Sequence, residues 1–196
     1  MRRPTIQVYD SRAPHWVETR MAPARASGPL QLAADFRAEV GPGLILDLGC
    51  GPARLMPGLG SPALGIDASI GMLSLAEASV FGRLACGDLE TLPVADSTAS
   101  GAFGNFSYQH LPRASFPVAL AEVARVLRPN GLLQLAMHAG EFEGDDRPGD
   151  DIPGRWFTYW TPVSLAEEMV DGGFEVLRMV EETNTLRCTA RLRRVS

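Results

Sequence analysis

The chain contains no lysine: all 18 of its basic residues are arginines. That excludes a lysine amine as a general base or a Schiff-base former. Cysteine is scarce. Cys50, Cys86 and Cys188 are odd in number and far apart, which argues against a disulfide framework and suits a reducing cytoplasm. No C-x-x-C or Cys/His ligand spacing occurs, so structural zinc is not expected. No apolar run approaches the ~20 residues that span a bilayer, and polar residues follow the basic start, so neither a membrane span nor a signal peptide is expected. A net charge of −5 gives no nucleic-acid footprint over the chain as a whole.

What is present centres on residues 44–54, Leu-Ile-Leu-Asp-Leu-Gly-Cys-Gly-Pro-Ala-Arg. An apolar strand ends in Asp47, and Gly49 and Gly51 make a sharp turn towards a helix opened by Pro52. Such a turn lets backbone approach a ligand closely. The third glycine of a dinucleotide-binding fingerprint is missing, because Arg54 stands in its place. The departure points away from NAD and towards another adenosine-bearing cofactor.

At 196 residues the chain is expected to form one domain, 1–196. Apolar runs alternate with amphipathic stretches, the pattern of βαβ units and a parallel sheet. Residues 12–40 read as helical, broken at Pro23 and at Gly28-Pro29, and give an N-terminal cap over 1–40. Strands are expected at 44–48, 63–67, 80–86, 101–107 and 132–137. Ser69 is placed to cap a helix reaching about Ala78, and a further helix covers 112–127. Thr161 and Pro162 open the last helix, Gly172-Gly173 ends it, and 174–180 and 186–193 form a terminal hairpin. Residues 138–161 make a loop and aromatic segment that can serve as a lid.

Asp47, Asp67 and Asp88 each fall where a strand should end, the edge at which open α/β sheets bind ligands. A lone strand-end aspartate more often caps a turn, but three in register with a glycine turn suggest a cofactor edge. Together with Gly65-Ile66-Asp67-Ala68-Ser69, Met72-Leu73, Gly87–Pro93, Arg125–Gly131 and Gly173–Val176, the first motif resembles the class I S-adenosylmethionine-dependent methyltransferases over roughly 44–180. The resemblance implies a three-layer α/β sandwich with a seven-stranded, mostly parallel sheet of order 3-2-1-4-5-7-6, strand 7 antiparallel. It implies S-adenosylmethionine as cofactor and a small-molecule methyl acceptor. It also implies roles: Gly49 and Gly51 let backbone pass close to the methionine part, and Asp47 helps hold its amino group through water. Asp67 takes the ribose hydroxyls, Asp88 accepts from the adenine amino group with the Leu89 amide beside the ring, and Asn105, Phe106 and Ser107 border the methyl group. Cys50 and Ala68 complete the cofactor-binding set, and Ile66 or Met72 packs on adenine or, more simply, in the core. Two positions depart from the family pattern. Ala99-Ser100 replaces Phe-Asp, and Asn130-Gly131 replaces paired glycines in a turn that asparagine can still make.

His110 and His138 follow the fourth and fifth strands and are the candidate bases; alternatively, one orients a loop and the other is solvated. Tyr9, His15, Trp16 and Arg20 belong to the expected cap. Residues 155–160 hold four aromatic rings, either a substrate wall or ordinary core. Six carboxylates within 141–151 read mainly as a solvated loop, with a metal site as the lesser alternative. Two rival functions stand beside methyl transfer: a non-catalytic cofactor-binding partner and a nicotinamide oxidoreductase, the latter disfavoured by Arg54.

Overall fold

A computed structural model describes residues 3–20 and 27–193. The seven-stranded sheet is built from β1 (Ile45–Leu48), β2 (Ala63–Asp67), β3 (Leu84–Cys86), β4 (Ala99–Asn105), β5 (Leu127–His138), β8 (Phe174–Glu182) and β9 (Thr185–Leu192). Two short strands, β6 (Glu143–Gly144) and β7 (Phe157–Thr158), pair with each other outside it. The order is β3-β2-β1-β4-β5-β9-β8. With the small pair set aside, this is the expected 3-2-1-4-5-7-6. The last strand of the chain, β9, runs antiparallel to both β5 and β8.

All four residues of β1 are buried, as a strand covered on both faces must be. Alternate side chains feed two cores. On one face Ile45 and Phe103 meet Phe36 of α2 (Ser27–Val40) and Met56 and Leu59 of α3 (Met56–Leu59). On the other, Leu46, Ala102 and Leu133 meet α5 (Phe116–Val126) and α6 (Pro162–Asp171). Helix α5 buries Phe116, Ala119, Leu120, Val123 and Val126, the spacing of one helical face. Thr161 caps α6 by accepting the Ser164 amide, in a reciprocal capping box with Pro162 in the first turn.

Several boundaries differ from the sequence expectation. Helix α1 (Arg3–Arg20) starts well before residue 12 and carries Pro14 within it. Gly28-Pro29 does not break a helix but lies in the first turn of α2, where a missing N–H is tolerated; Pro23 lies outside the described residues. Helix α4 is a single turn, Ile70–Leu73, though Ser69 does cap it by accepting the Met72 amide. A 3-10 segment, Ala78–Arg83, takes the place of the first half of the expected third strand. The helix expected from Pro112 begins as a 3-10 turn, Arg113–Ser115, before α5. The fifth strand starts at Leu127 and not at 132, so Asn130, with φ 66°, lies within β5 and keeps the left-handed geometry expected of it there. Near it the β4–β5 register shifts between Ala99 and Gly101, and Ser100 is bonded by Arg128.

Candidate functional site

The carboxyl ends of β1, β2, β4 and β5 open onto a cavity of about 460 Å³ that α1 and the loop after β5 cover. The glycine turn shapes its floor. Gly49 has φ 74°, and its amide and that of Cys50 donate to the Ile66 carbonyl at 2.7 and 3.1 Å. A Cβ on Gly49 would lie 2.2 Å from the Ser107 Cβ. Only glycine lets the end of β4 press against the end of β1, and the Ser107 hydroxyl fixes that approach by donating to the Leu48 carbonyl at 2.6 Å. Phe106 pays for the same junction with φ 57°, which turns its ring towards the His138 ring at 5.3 Å.

Two carboxylates define the acidic end. Asp67 accepts the Gly51 amide on one oxygen and the Ser69 amide on the other, each at 2.8 Å. It ties the glycine turn to the loop after β2, and its carboxyl still sits above its usual range because burial outweighs those bonds. Asp47 is only 2% exposed, and its Oδ2 has no hydrogen-bond partner. Burial, and then the neighbouring Asp67, raise its carboxyl to about 7. A buried orphan acceptor against a cavity calls for a cationic donor. The ammonium of a methionine-type ligand is such a donor, so the residues present fit the expected cofactor. The Cys50 thiol lines the same region and is pushed far up by burial and by both aspartates, which leaves it inert.

The opposite end is aromatic and basic. His110 is buried, with Nδ1 2.7 Å from the Trp156 carbonyl and Nε2 2.8 Å from the Tyr9 hydroxyl. The carbonyl can only accept, so Nδ1 carries the proton and Nε2 receives the Tyr9 hydroxyl. Burial pushes His110 down to about 3, and both its nitrogens are engaged. Arg155 continues the chain by donating to the Tyr9 hydroxyl at 3.1 Å and to the Ile152 carbonyl at 3.1 Å, and it pairs with Asp150. His138 is also held below its usual range, by burial first and then by Arg147, whose guanidinium lies 3.2 Å from Nε2.

Of the residues expected to hold cofactor, Asp47, Gly49, Cys50, Asp67, Met72, Asn105 and Phe106 line this one cavity, as do His110 and His138. Gly51, Ala68, Asp88 and Leu89 do not line it. Asp88 accepts the Glu90 amide at 3.1 Å, and Leu89 is buried in the main core. From the cap, Tyr9, Trp16 and Arg20 reach the cavity. Helix α1 is fastened there by Asp10, which accepts from the Ser69 hydroxyl at 2.7 Å and the Gly71 amide at 2.9 Å, and by the Arg20–Asp151 pair. The aromatic segment divides its work. Phe157 forms cavity wall against His110, whereas Trp160 packs in the core on Phe116. The acidic loop is neither wholly solvated nor a metal cluster: Glu143, Asp150 and Asp151 pair with Arg113, Arg155 and Arg20, and no group of three metal-type ligands exists among the described residues. Arg147, Arg155 and Gln109 were not expected at the site. Arg147 and Arg155 share Asp150 within their own loop, but their contacts to His138 and Tyr9, like that of Gln109 to the His138 amide, cross between elements.

The architecture, the glycine turn and the paired acidic strand ends are similar to those of the class I S-adenosylmethionine-dependent methyltransferases, whose fold the chain shares. Residues 46–135 match the family described as "Methyltransferase domain". A malonyl-[acyl-carrier protein] O-methyltransferase of Pectobacterium atrosepticum is 35% identical over 96 residues, covering 47% of this chain and 37% of that protein. The chain thus spans less than half the length of the curated relatives it matches. Among solved structures, the DhpI–SAH complex superposes with TM-score 0.76 at 19% identity, covering 97% of this chain and 96% of that one. The Burkholderia thailandensis 1,6-didemethyltoxoflavin-N1-methyltransferase, solved with 1,6-didemethyltoxoflavin and S-adenosylhomocysteine, gives 0.70 at 20% identity, covering 96% and 88%. At these identities the structural matches establish the fold alone. No helix among the described residues is long and apolar enough to cross a membrane.

Proposed function

We propose that the protein is an enzyme that transfers the methyl group of S-adenosylmethionine to a small-molecule acceptor. The observation that carries the reading is the orphaned carboxylate oxygen of Asp47, a buried residue just before the glycine turn that lines the cavity. When bound, S-adenosylmethionine supplies an electrophilic methyl carbon on its sulfonium. The chain's own work is positioning and exclusion of water. Asp47 takes the ammonium of the cofactor, and Asp67, already fixed by the Gly51 and Ser69 amides, offers its remaining lone pairs to the ribose. Tyr9, Phe106, His138 and Phe157 enclose the acceptor half of the cavity. Holding an acceptor in line and dry can supply roughly 7–11 kcal/mol of the barrier without a strong base. His110 orients the wall by bonding Tyr9 and the Trp156 carbonyl. The three unpaired cysteines fit a cytoplasmic setting.

A second reading, a cofactor-binding protein without catalysis, draws on one observation: both nitrogens of His110 are already engaged. Mass spectrometry of mixtures of protein, S-adenosylmethionine and a panel of acids, phenols, amines and thiols separates the two. Methyl transfer to one chemical class, lost in Asp47→Asn, supports the enzyme. Tight cofactor binding with no methylated product from any class supports the binding protein.

A further inference from the structure

The acceptor half of the cavity holds more positive charge than its own residues balance. Arg147 and Arg155 both reach the single carboxylate of Asp150, which is 4% exposed. The neighbouring His110 and His138 cannot offset the excess, because an imidazole is neutral or cationic and never an anion. The acidic residues Asp47 and Asp67 belong to the cofactor end of the same cavity. A half-buried site with one guanidinium in excess is costly unless an anion completes it.

The two arginines are not equivalent. Arg155 is spent: its Nε goes to the Ile152 carbonyl, one terminal nitrogen to Tyr9 and the other to Asp150. Arg147 uses one terminal nitrogen on His138 and the other on Asp150, each at 3.2 Å. That leaves it three of its five N–H groups, including Nε. Its guanidinium carbon stands over the Phe157 ring, 4.3 Å from the centroid, and the residue lines the cavity. A planar fork beside an aromatic wall matches a carboxylate attached to a flat or apolar body.

We propose that the methyl acceptor is a carboxylic acid and that Arg147 docks its carboxylate against the Phe157–His138 wall. The place of this acid beside the cofactor rests on the methyl-transfer reading above; the anion site rests on the side chains themselves.

The test uses protein saturated with S-adenosylhomocysteine, observed by NMR at the Arg147 Nε–H and the His138 ring. Benzoate, its neutral counterpart benzamide and inorganic phosphate are titrated in turn. Benzoate is expected to shift both signals and to bind at least tenfold tighter than benzamide, about 1.4 kcal/mol. Arg147→Gln removes that preference and Arg147→Lys keeps part of it; retained binding of S-adenosylhomocysteine shows that each variant folds. Silence towards benzoate, equal binding of benzamide, tighter binding of phosphate, or a preference that survives Arg147→Gln each overturns the proposal. If S-adenosylhomocysteine itself does not bind, the methyl-transfer reading falls. The same titration on ligand-free protein then decides the anion site separately.

Discussion

Replacing Asp47 with asparagine isolates what a buried, unpartnered carboxylate does. Its carboxyl stands at about 7 rather than the usual 3.8. Ionising it inside the folded chain therefore costs about 4 kcal/mol, at 1.36 kcal/mol for each tenfold change in acidity. The sign follows from linkage: the folded chain binds this proton more tightly than the unfolded chain. The contribution of Asp47 to ligand-free stability is thus most favourable below about pH 4, falls as pH rises towards about 7, and is flat above. Asparagine has no such slope, but its amide meets a poor environment, at a cost of about 1–3 kcal/mol. Above neutral pH the ligand-free variant should be more stable than the wild type by roughly 1–3 kcal/mol, or several degrees in melting temperature for a chain of this size. With S-adenosylhomocysteine that advantage shrinks by ~1.4–2.8 kcal/mol, because the variant loses about tenfold to a hundredfold in affinity. Scanning fluorimetry at about pH 5 and pH 8, with and without ligand, reads all four corners. If wild type and variant keep a constant difference across pH and bind the ligand equally, Asp47 is neither strained nor a cofactor contact.

Other outcomes follow from the same geometry. Asp67→Ala should weaken S-adenosylhomocysteine binding by roughly ten- to a hundredfold in calorimetry, and unchanged affinity would mean the ribose contact is misplaced. In Gly49→Ala the new Cβ meets the Ser107 Cβ at 2.2 Å, so the melting temperature should fall and ligand binding should be lost together; a variant that binds normally would show that the β1–β4 junction is loose. Tyr9→Phe strips a partner from both His110 and Arg155 and should cost about 1–3 kcal/mol in denaturant unfolding. Asp10→Ala releases α1 from Ser69 and Gly71, and stopped-flow should show faster release of S-adenosylhomocysteine, whereas an unchanged rate would mean that α1 does not gate the cavity.

The parts legible in the sequence are those set by local chemistry. The apolar run into Asp47 and its two glycines marked the β1 turn, Thr161-Pro162 marked the start of α6, and the run to Gly172-Gly173 marked its end. Strand order is implied by the family resemblance that the motifs carry, and the sheet has it. The misplaced pieces are those where tertiary contact overrides propensity. Helix α1 buries only Thr5 and Ala13 and is fastened by Asp10 and Arg20, which no helical periodicity announces. Glu143 and Asp151 of the 141–151 run read as solvated because their arginine partners are distant: Asp151 meets Arg20, 131 positions away. The basic character of the acceptor pocket was hidden because Arg147 lies within that apparently acidic run and Arg155 opens the aromatic segment after it.

The central claim is that the cavity beside the β1 glycine turn holds S-adenosylmethionine. Thermal unfolding in the presence of S-adenosylhomocysteine or NAD tests it most directly. The account predicts a raised melting temperature with S-adenosylhomocysteine, diminished in Asp47→Asn, and no change with NAD. Stabilisation by NAD and none by S-adenosylhomocysteine would contradict it.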